Sequence, residues 1–251
     1  MNKFIFVVSV LLLSPVLRAE CYTHVVVEEE TYTSIAQKYL GSGYYWWYFK
    51  LYSEHRRDKA ERGERIDFYL PTDQSDWIHG CRLVLARRLV QVGKVKHLDS
   101  ILYAVPYGIH LATKVSGQNT VDPMIGLDLC LLSAAVAEHV SEYNPNKVVK
   151  ERVGLLQVDI STGKSIMAAN KELYSMVFSS EQEGVEFLKS PVVSTAIFVI
   201  SYVKYLSEHK VLHKALFKYL GTVDDAIAVM GIYAQIRNIK PFYCTAEEKG
   251  E

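Results

Sequence analysis

The sequence predicts an α+β fold that is mostly α: a small β-α-α-β unit followed by a larger helical body. Three observations predict it. Residues 23–71 order themselves as strand, helix, helix and strand. From Cys81 onward apolar residues recur at three- and four-residue spacing, the period of a helix with one buried face. A content of 49% hydrophobic and 22% charged residues is enough for a normal core and excludes wholesale disorder.

The chain opens with the pattern of a secretory signal, residues 1–19. Lys3 supplies the positive start, and Phe4 to Leu13 is an unbroken apolar run. Ser14-Pro15 breaks the run, and Leu17-Arg18-Ala19 offers a cleavage site before Glu20. The run is short for a bilayer span. Arg18-Ala19-Glu20 does not suit lipid attachment at Cys21. Export makes the four cysteines readable as disulfides. Three pairings are possible. Cys21 and Cys81 flank the first unit, so the expected pairs are Cys21–Cys81 and Cys130–Cys244. Without Lys3 and Arg18 the chain keeps 26 basic residues against 28 acidic ones. That balance argues against nucleic acid as a partner, since tracking phosphates needs a basic excess.

In the first unit, residues 20–72, Thr23 to Val27 reads as a strand. Glu28-Glu29-Glu30-Thr31 makes a turn and a helix start, with Thr31 as N-cap. Ile35, Ala36 and Tyr39 have helical spacing, and Gly41 ends that helix. Trp46, Phe49 and Tyr52 place a second helix. Ile66 to Leu70 alternates as a strand, and Pro71 stops it. Val27, Thr31, Tyr32, Ile35, Ala36, Tyr39, Gly41, Trp46, Phe49 and Leu70-Pro71 together resemble a LysM domain, a small module that binds N-acetylglucosamine-containing glycans. Glu29-Glu30 replaces the family's Gly-Asp turn, and Ser53 its asparagine. The resemblance implies glycan contacts at Thr31, Tyr32, Tyr45 and Trp47. The aromatic run Tyr44 to Phe49 divides between two uses: Trp46 and Phe49 belong to the core, and Tyr45 and Trp47 are open to either core or a sugar-stacking face.

Asp73 to Gly80 reads as a linker, within a connector spanning residues 73–119. Cys81 to Gln118 is mostly helical, with Pro106-Tyr107-Gly108 expected to kink or interrupt its second segment. Asp122-Pro123 opens a helix ending near Val140. Ser194 to Leu206, Val211 to Leu220 and Val223 to Ile236 complete the helical set. Within residues 120–251, one stretch resembles the signature of soluble lytic transglycosylases, lysozyme-like enzymes that cut peptidoglycan. Ala135-Val136-Ala137 matches its opening. Ser141 and Tyr143-Asn144-Pro145-Asn146 match the end of its first block, and Gly154-Leu155-Leu156-Gln157 matches its second. Thr162 fits a later threonine, with Ile160 in place of a proline. Tyr219 fits a late tyrosine, but Leu220 stands where the family keeps an asparagine. The position of the family's catalytic glutamate is Val140.

A valine has no proton to give, and the family's chemistry needs a general acid in a partly apolar groove. Glu138 lies two residues earlier, about 200° around the helix. Glu142 lies two residues later. Both read as solvated helix residues. No histidine or cysteine spacing suggests a metal, and no cofactor motif is present. The resemblance therefore implies a periplasmic, non-catalytic binder of peptidoglycan glycan strands, with Tyr143, Gln157 and Tyr219 on the glycan. Its place would be beside an envelope-spanning secretion machine. The alternative is an active transglycosylase using Glu138 or Glu142. A third reading is a structural subunit that binds protein.

Overall fold

The computed structural model describes residues 21–53, 59–170 and 181–242. The expected signal, residues 1–19, lies outside them, as does Cys244. The described chain is mostly helical with two small sheets, an α+β arrangement.

The first unit has the expected order. Strand β1 (Cys21–Val25) pairs antiparallel with β2 (Arg65–Tyr69), Cys21 opposite Tyr69. Between them run α1 (Tyr32–Leu40), a 3-10 turn at Gly43–Tyr45, and α2 (Trp46–Tyr52). Thr31 caps α1 as expected: its hydroxyl accepts from the Ser34 amide at 3.1 Å, and Ser34 Oγ accepts from the Thr31 amide at 2.9 Å. Gly41 ends α1 at φ 68°, where a side chain would be strained.

The rotation of α2 differs from expectation. Trp46 is 43% exposed, whereas Trp47 is buried with Tyr48, Phe49, Leu51 and Tyr52. The reason is that α2 is covered on two sides. Phe49 packs edge-on to Phe68 of β2, with ring centroids 4.7 Å apart. Trp47 lies under the Arg237 guanidinium of the helical body, 4.2 Å from ring centre. A helix between two layers needs two apolar stripes, so spacing alone does not say which ring is left outside.

The helical body begins sooner than expected. The segment read as a linker, Asp73 to Gly80, starts helix α3 (Gln74–Gln91). Asp73 accepts from the Ser75 and Asp76 amides at 2.7 and 3.0 Å, and Asp76 accepts in return from the Asp73 amide at 3.3 Å. This reciprocal cap satisfies amides that have no partner within the helix. Helix α4 (Leu98–Val115) runs through Pro106 without the interruption that was one of the two expectations there. Proline removes one helical bond, but packing holds the turns on either side. A Cβ on Gly108 would lie 2.6 Å from the Val192 carbonyl, so this glycine lets a later helix come close.

Helix α5 (Pro123–Ser141) forms the centre. Asp122 caps it through the Met124 and Ile125 amides at 3.0 and 3.1 Å. Its length and composition would suit a membrane span, but most of it is buried in this core. Cys81 of α3 and Cys130 of α5 form a disulfide, with Cα atoms 5.8 Å apart. This overturns both expected pairs, Cys21–Cys81 and Cys130–Cys244. The facing of two core helices sets the pairing, and the flanking of the first unit does not. Cys21 is also disulfide-bonded.

After α5 comes a three-stranded antiparallel sheet that the sequence did not announce: β3 (Val148–Val149), β4 (Arg152–Val153) and β5 (Val158–Asp159). Helices α6 (Ile160–Ala169) and α7 (Glu181–Leu188) come next. Val153, Val158, Met167, Leu188 and Ile197 form a small core of their own under this sheet. The chain closes with α8 (Pro191–His209), α9 (Leu212–Leu220) and α10 (Val223–Ile236), near the bounds that periodicity gives.

Candidate functional site

The transglycosylase resemblance puts a general acid at the C-terminal end of α5. Val140 stands there, partly buried against the main core. Glu138 points elsewhere: its carboxylate grips Arg88 of α3 with both oxygens, at 2.7 and 2.6 Å, and accepts from the Tyr143 hydroxyl at 3.3 Å. Glu142 stands in solvent on Lys94 at 2.8 Å, and that ammonium holds its carboxyl below the usual range. Each carboxylate thus has a cation of its own. Glu142 and Tyr143 take φ of 54° and 62°, two consecutive left-handed residues that turn the chain away from the helix. Such conformations are costly without glycine and persist where surroundings fix them. Tyr143 is fixed by burial, which pushes its phenol well above the usual range.

The later motif residues come together. A polar pocket of about 160 Å³ opens between the three-stranded sheet and helices α8 and α9. Gln157, Thr162 and Tyr219, three of the positions that carry the transglycosylase resemblance, line it, and neither Glu138 nor Glu142 does. Gln157 sits at φ 50°, a strained position held by its own side chain. Its amide nitrogen donates to the Lys147 carbonyl at 2.8 Å and the Gly154 carbonyl at 3.0 Å. Gly154, at φ 85°, makes the turn between β4 and β5. Tyr219 is buried on α9, and its hydroxyl donates to the Leu156 carbonyl at 2.9 Å. Burial pushes that phenol well above its usual range.

The charges in the pocket come from residues that the motif did not single out. Arg152 and Asp159 are cross-strand partners on β4 and β5. Arg152 donates to the Tyr219 carbonyl at 2.8 Å, bracing the C-terminus of α9. Asp159 caps α6: one carboxylate oxygen accepts from the Ser161 hydroxyl at 2.6 Å and the Thr162 amide at 2.8 Å. Burial alone would raise its pKa, but these bonds and the charge of Arg152 outweigh it and hold the carboxyl below the usual range. Lys218 and Tyr205 complete the lining. Two-residue strands leave no period in a sequence, so nothing pointed to Arg152 or Asp159 beforehand.

The end of α5 is tied to α10. His139 meets Asp225 of α10 at 2.7 Å. Bonds from Thr222 and His139, with the charge of Arg152, hold the Asp225 carboxyl below its usual range.

The chain matches no family model, no curated protein and no solved structure.

The remaining expected glycan contacts lie apart from this pocket. Thr31 is exposed and occupied as an N-cap. Tyr32 is buried, its hydroxyl on Ser53 at 2.9 Å. Trp47 is buried against the helical body, and Tyr45 is half-buried. Tyr44, beside them, reaches Asp128 of α5 at 3.4 Å. Much of the aromatic run is therefore spent on the seam between the first unit and the helical body. Among the described residues no cluster of histidine, cysteine or carboxylate side chains has the makeup of a metal site.

Proposed function

We propose that the chain is a non-catalytic peptidoglycan-binding protein of the periplasm, with a LysM-like unit ahead of a degenerate lytic transglycosylase-like body. The observation that carries the reading is the split at the end of α5. The frame residues Gln157, Thr162 and Tyr219 converge on one polar pocket. The expected acid position is Val140, and both neighbouring carboxylates are held by cations outside that pocket. A side chain that is already a ligand for Arg88 or Lys94 is poorly placed to protonate a glycosidic oxygen, which needs a carboxyl within hydrogen-bond reach of it. The pocket offers donors and acceptors side by side, as a polar fragment of the wall requires. Placement beside an envelope-spanning secretion machine rests on the resemblance alone.

The test pairs binding with cleavage. The mature chain should sediment with purified sacculi above a control protein and should release no anhydro-muropeptides. A general acid contributes about 100- to 10,000-fold in rate, so its loss leaves turnover at background. Release of anhydro product by wild type, abolished by Glu138→Gln or Glu142→Gln in a folded variant, would establish the enzyme reading instead. Failure to sediment would leave the protein-binding subunit.

A further inference from the structure

Two opposite charges share the pocket without meeting. Arg152 and Asp159 face each other in register across β4 and β5, and no ion pair within 4.0 Å joins them. Arg152 spends one nitrogen on the Tyr219 carbonyl, and Asp159 spends one oxygen on Ser161 and Thr162. The other nitrogens of the guanidinium have no hydrogen bond among the described residues, and the Asp159 carboxylate is engaged only by its own helix cap, Ser161 and the amide and side chain of Thr162, among those residues. Lys218, exposed at the rim, adds a second cation with no carboxylate on it among the described residues. Asp225, which also feels the charge of Arg152, is engaged by His139 and Thr222. The lining of this small pocket therefore holds two cations, Arg152 and Lys218, and one carboxylate, Asp159.

We propose that this pocket binds a small zwitterion, an amino-acid group whose ammonium meets Asp159 and whose carboxylate meets Lys218 and Arg152. A ligand of one sign would meet a like charge in the lining. A neutral hydroxyl ligand would leave both ions only partly compensated, and charge-assisted bonds are about twice as strong as neutral ones. A zwitterion satisfies both sides at once. Such a group could arrive as a free amino acid or as the amino-acid end of a peptide carried on a wall polymer. The second source rests on the wall-binding function proposed for the chain, and the first does not.

The test uses the mature full-length chain and amide NMR titration. The probes are alanine, meso-diaminopimelate, acetate, ethylammonium, a disaccharide-tetrapeptide, the same compound with its free amine acetylated, and peptide-free glycan strands. The zwitterions should shift the amides of Gln157 to Thr162, and acetate or ethylammonium at equal concentration should not. Stronger binding by the disaccharide-tetrapeptide, weakened by acetylation, identifies the wall-borne source; equal binding by alanine identifies the free one. Asp159→Asn keeps a capping side chain and Lys218→Gln alters an exposed residue, so both variants should fold. Each should weaken zwitterion binding by about tenfold. Binding of acetate as strong as that of alanine, unchanged binding in both variants, or no shift with any zwitterion overturns the proposal. Peptide-free glycan separates the two readings. Glycan binding without zwitterion binding removes this inference alone, and the reverse removes the glycan reading alone.

Discussion

Asp128 shows how far a single residue's setting escapes its sequence. It sits on α5 among rings: Tyr233 donates to one carboxylate oxygen and Tyr44 to the other. Arg237 lies over the rings of Trp47, Tyr233 and Tyr44 at 4.2, 5.1 and 5.8 Å. Burial raises the Asp128 pKa, and the bonds from Tyr233 and Tyr44 with the charge of Arg237 only partly offset it. A carboxyl raised in the fold adds stability that is complete below its unfolded value of about 3.9 and is lost as pH rises through the folded value. Asp128→Asn carries no such dependence. Urea unfolding at pH 3 and pH 7 should therefore show the variant gaining on wild type at the higher pH. A wild-type advantage that grows with pH would contradict this account. No spacing rule marks Asp128, because its partners lie 84 and 105 residues away. Val140, by contrast, is an expectation that rests on the residues beside it, and the structure adds only that it packs partly buried against the main core.

At the scale of elements, what a sequence shows depends on length and on covering. Helices α8, α9 and α10 each bury a stripe, and periodicity locates them. The order of the first unit was legible for the same reason, with Thr31 and Gly41 as punctuation. The rotation of α2 was not, because both of its sides are covered. The start of α3 was missed because Asp73 and Asp76 form a capping box from two aspartates, where the usual signature ends in Glu or Gln. The sheet β3–β5 was missed because its strands are two residues each. That sheet nevertheless shapes the pocket, and Gly154 is its hinge. At φ 85°, a Cβ there would be strained and would also collide with the Leu188 carbonyl. Gly154→Ala should cost about 3 kcal/mol or more by chemical denaturation, from backbone strain and overpacking together. It should also broaden the amide signals of Gln157 and Thr162. An unchanged unfolding midpoint would mean that the turn tolerates a side chain.

At the scale of the whole molecule, the disulfides decide what the first unit and the body can do separately. The Cys81–Cys130 bridge spans 49 residues and lies in the core. In the chain-entropy picture a loop of that length is worth roughly 4 kcal/mol, so Cys81→Ala with Cys130→Ala should lose much of the fold's stability. Cys21 is oxidised as well, and Cys244 is the one cysteine outside the described residues. Phe242, two residues before it, packs on Tyr69 with ring centroids 4.2 Å apart, and Tyr69 stands opposite Cys21. Non-reducing peptide mapping should therefore find Cys21 joined to Cys244. A free thiol at Cys244 would refute that pairing. The sequence held the four cysteines in view, but their pairing is a property of the packed helices.

The contact between Phe242 and the first unit also sets an order in time. Tyr52 exchanges hydrogen bonds with the Phe242 carbonyl and amide at 3.2 and 3.3 Å, across 190 residues of chain. A chain that emerges N-terminus first delivers β1, α1, α2 and β2 long before Phe242. Domains usually fold in order of emergence. Here the first unit lacks the cover of Phe242 until every helix described has been delivered. Tyr52 and Tyr69 lack that cover during the interval, and closure of the first unit follows the emergence of the last helix described. A chain stopped at Ile239 would keep every strand and helix described and still leave its oldest part unfinished.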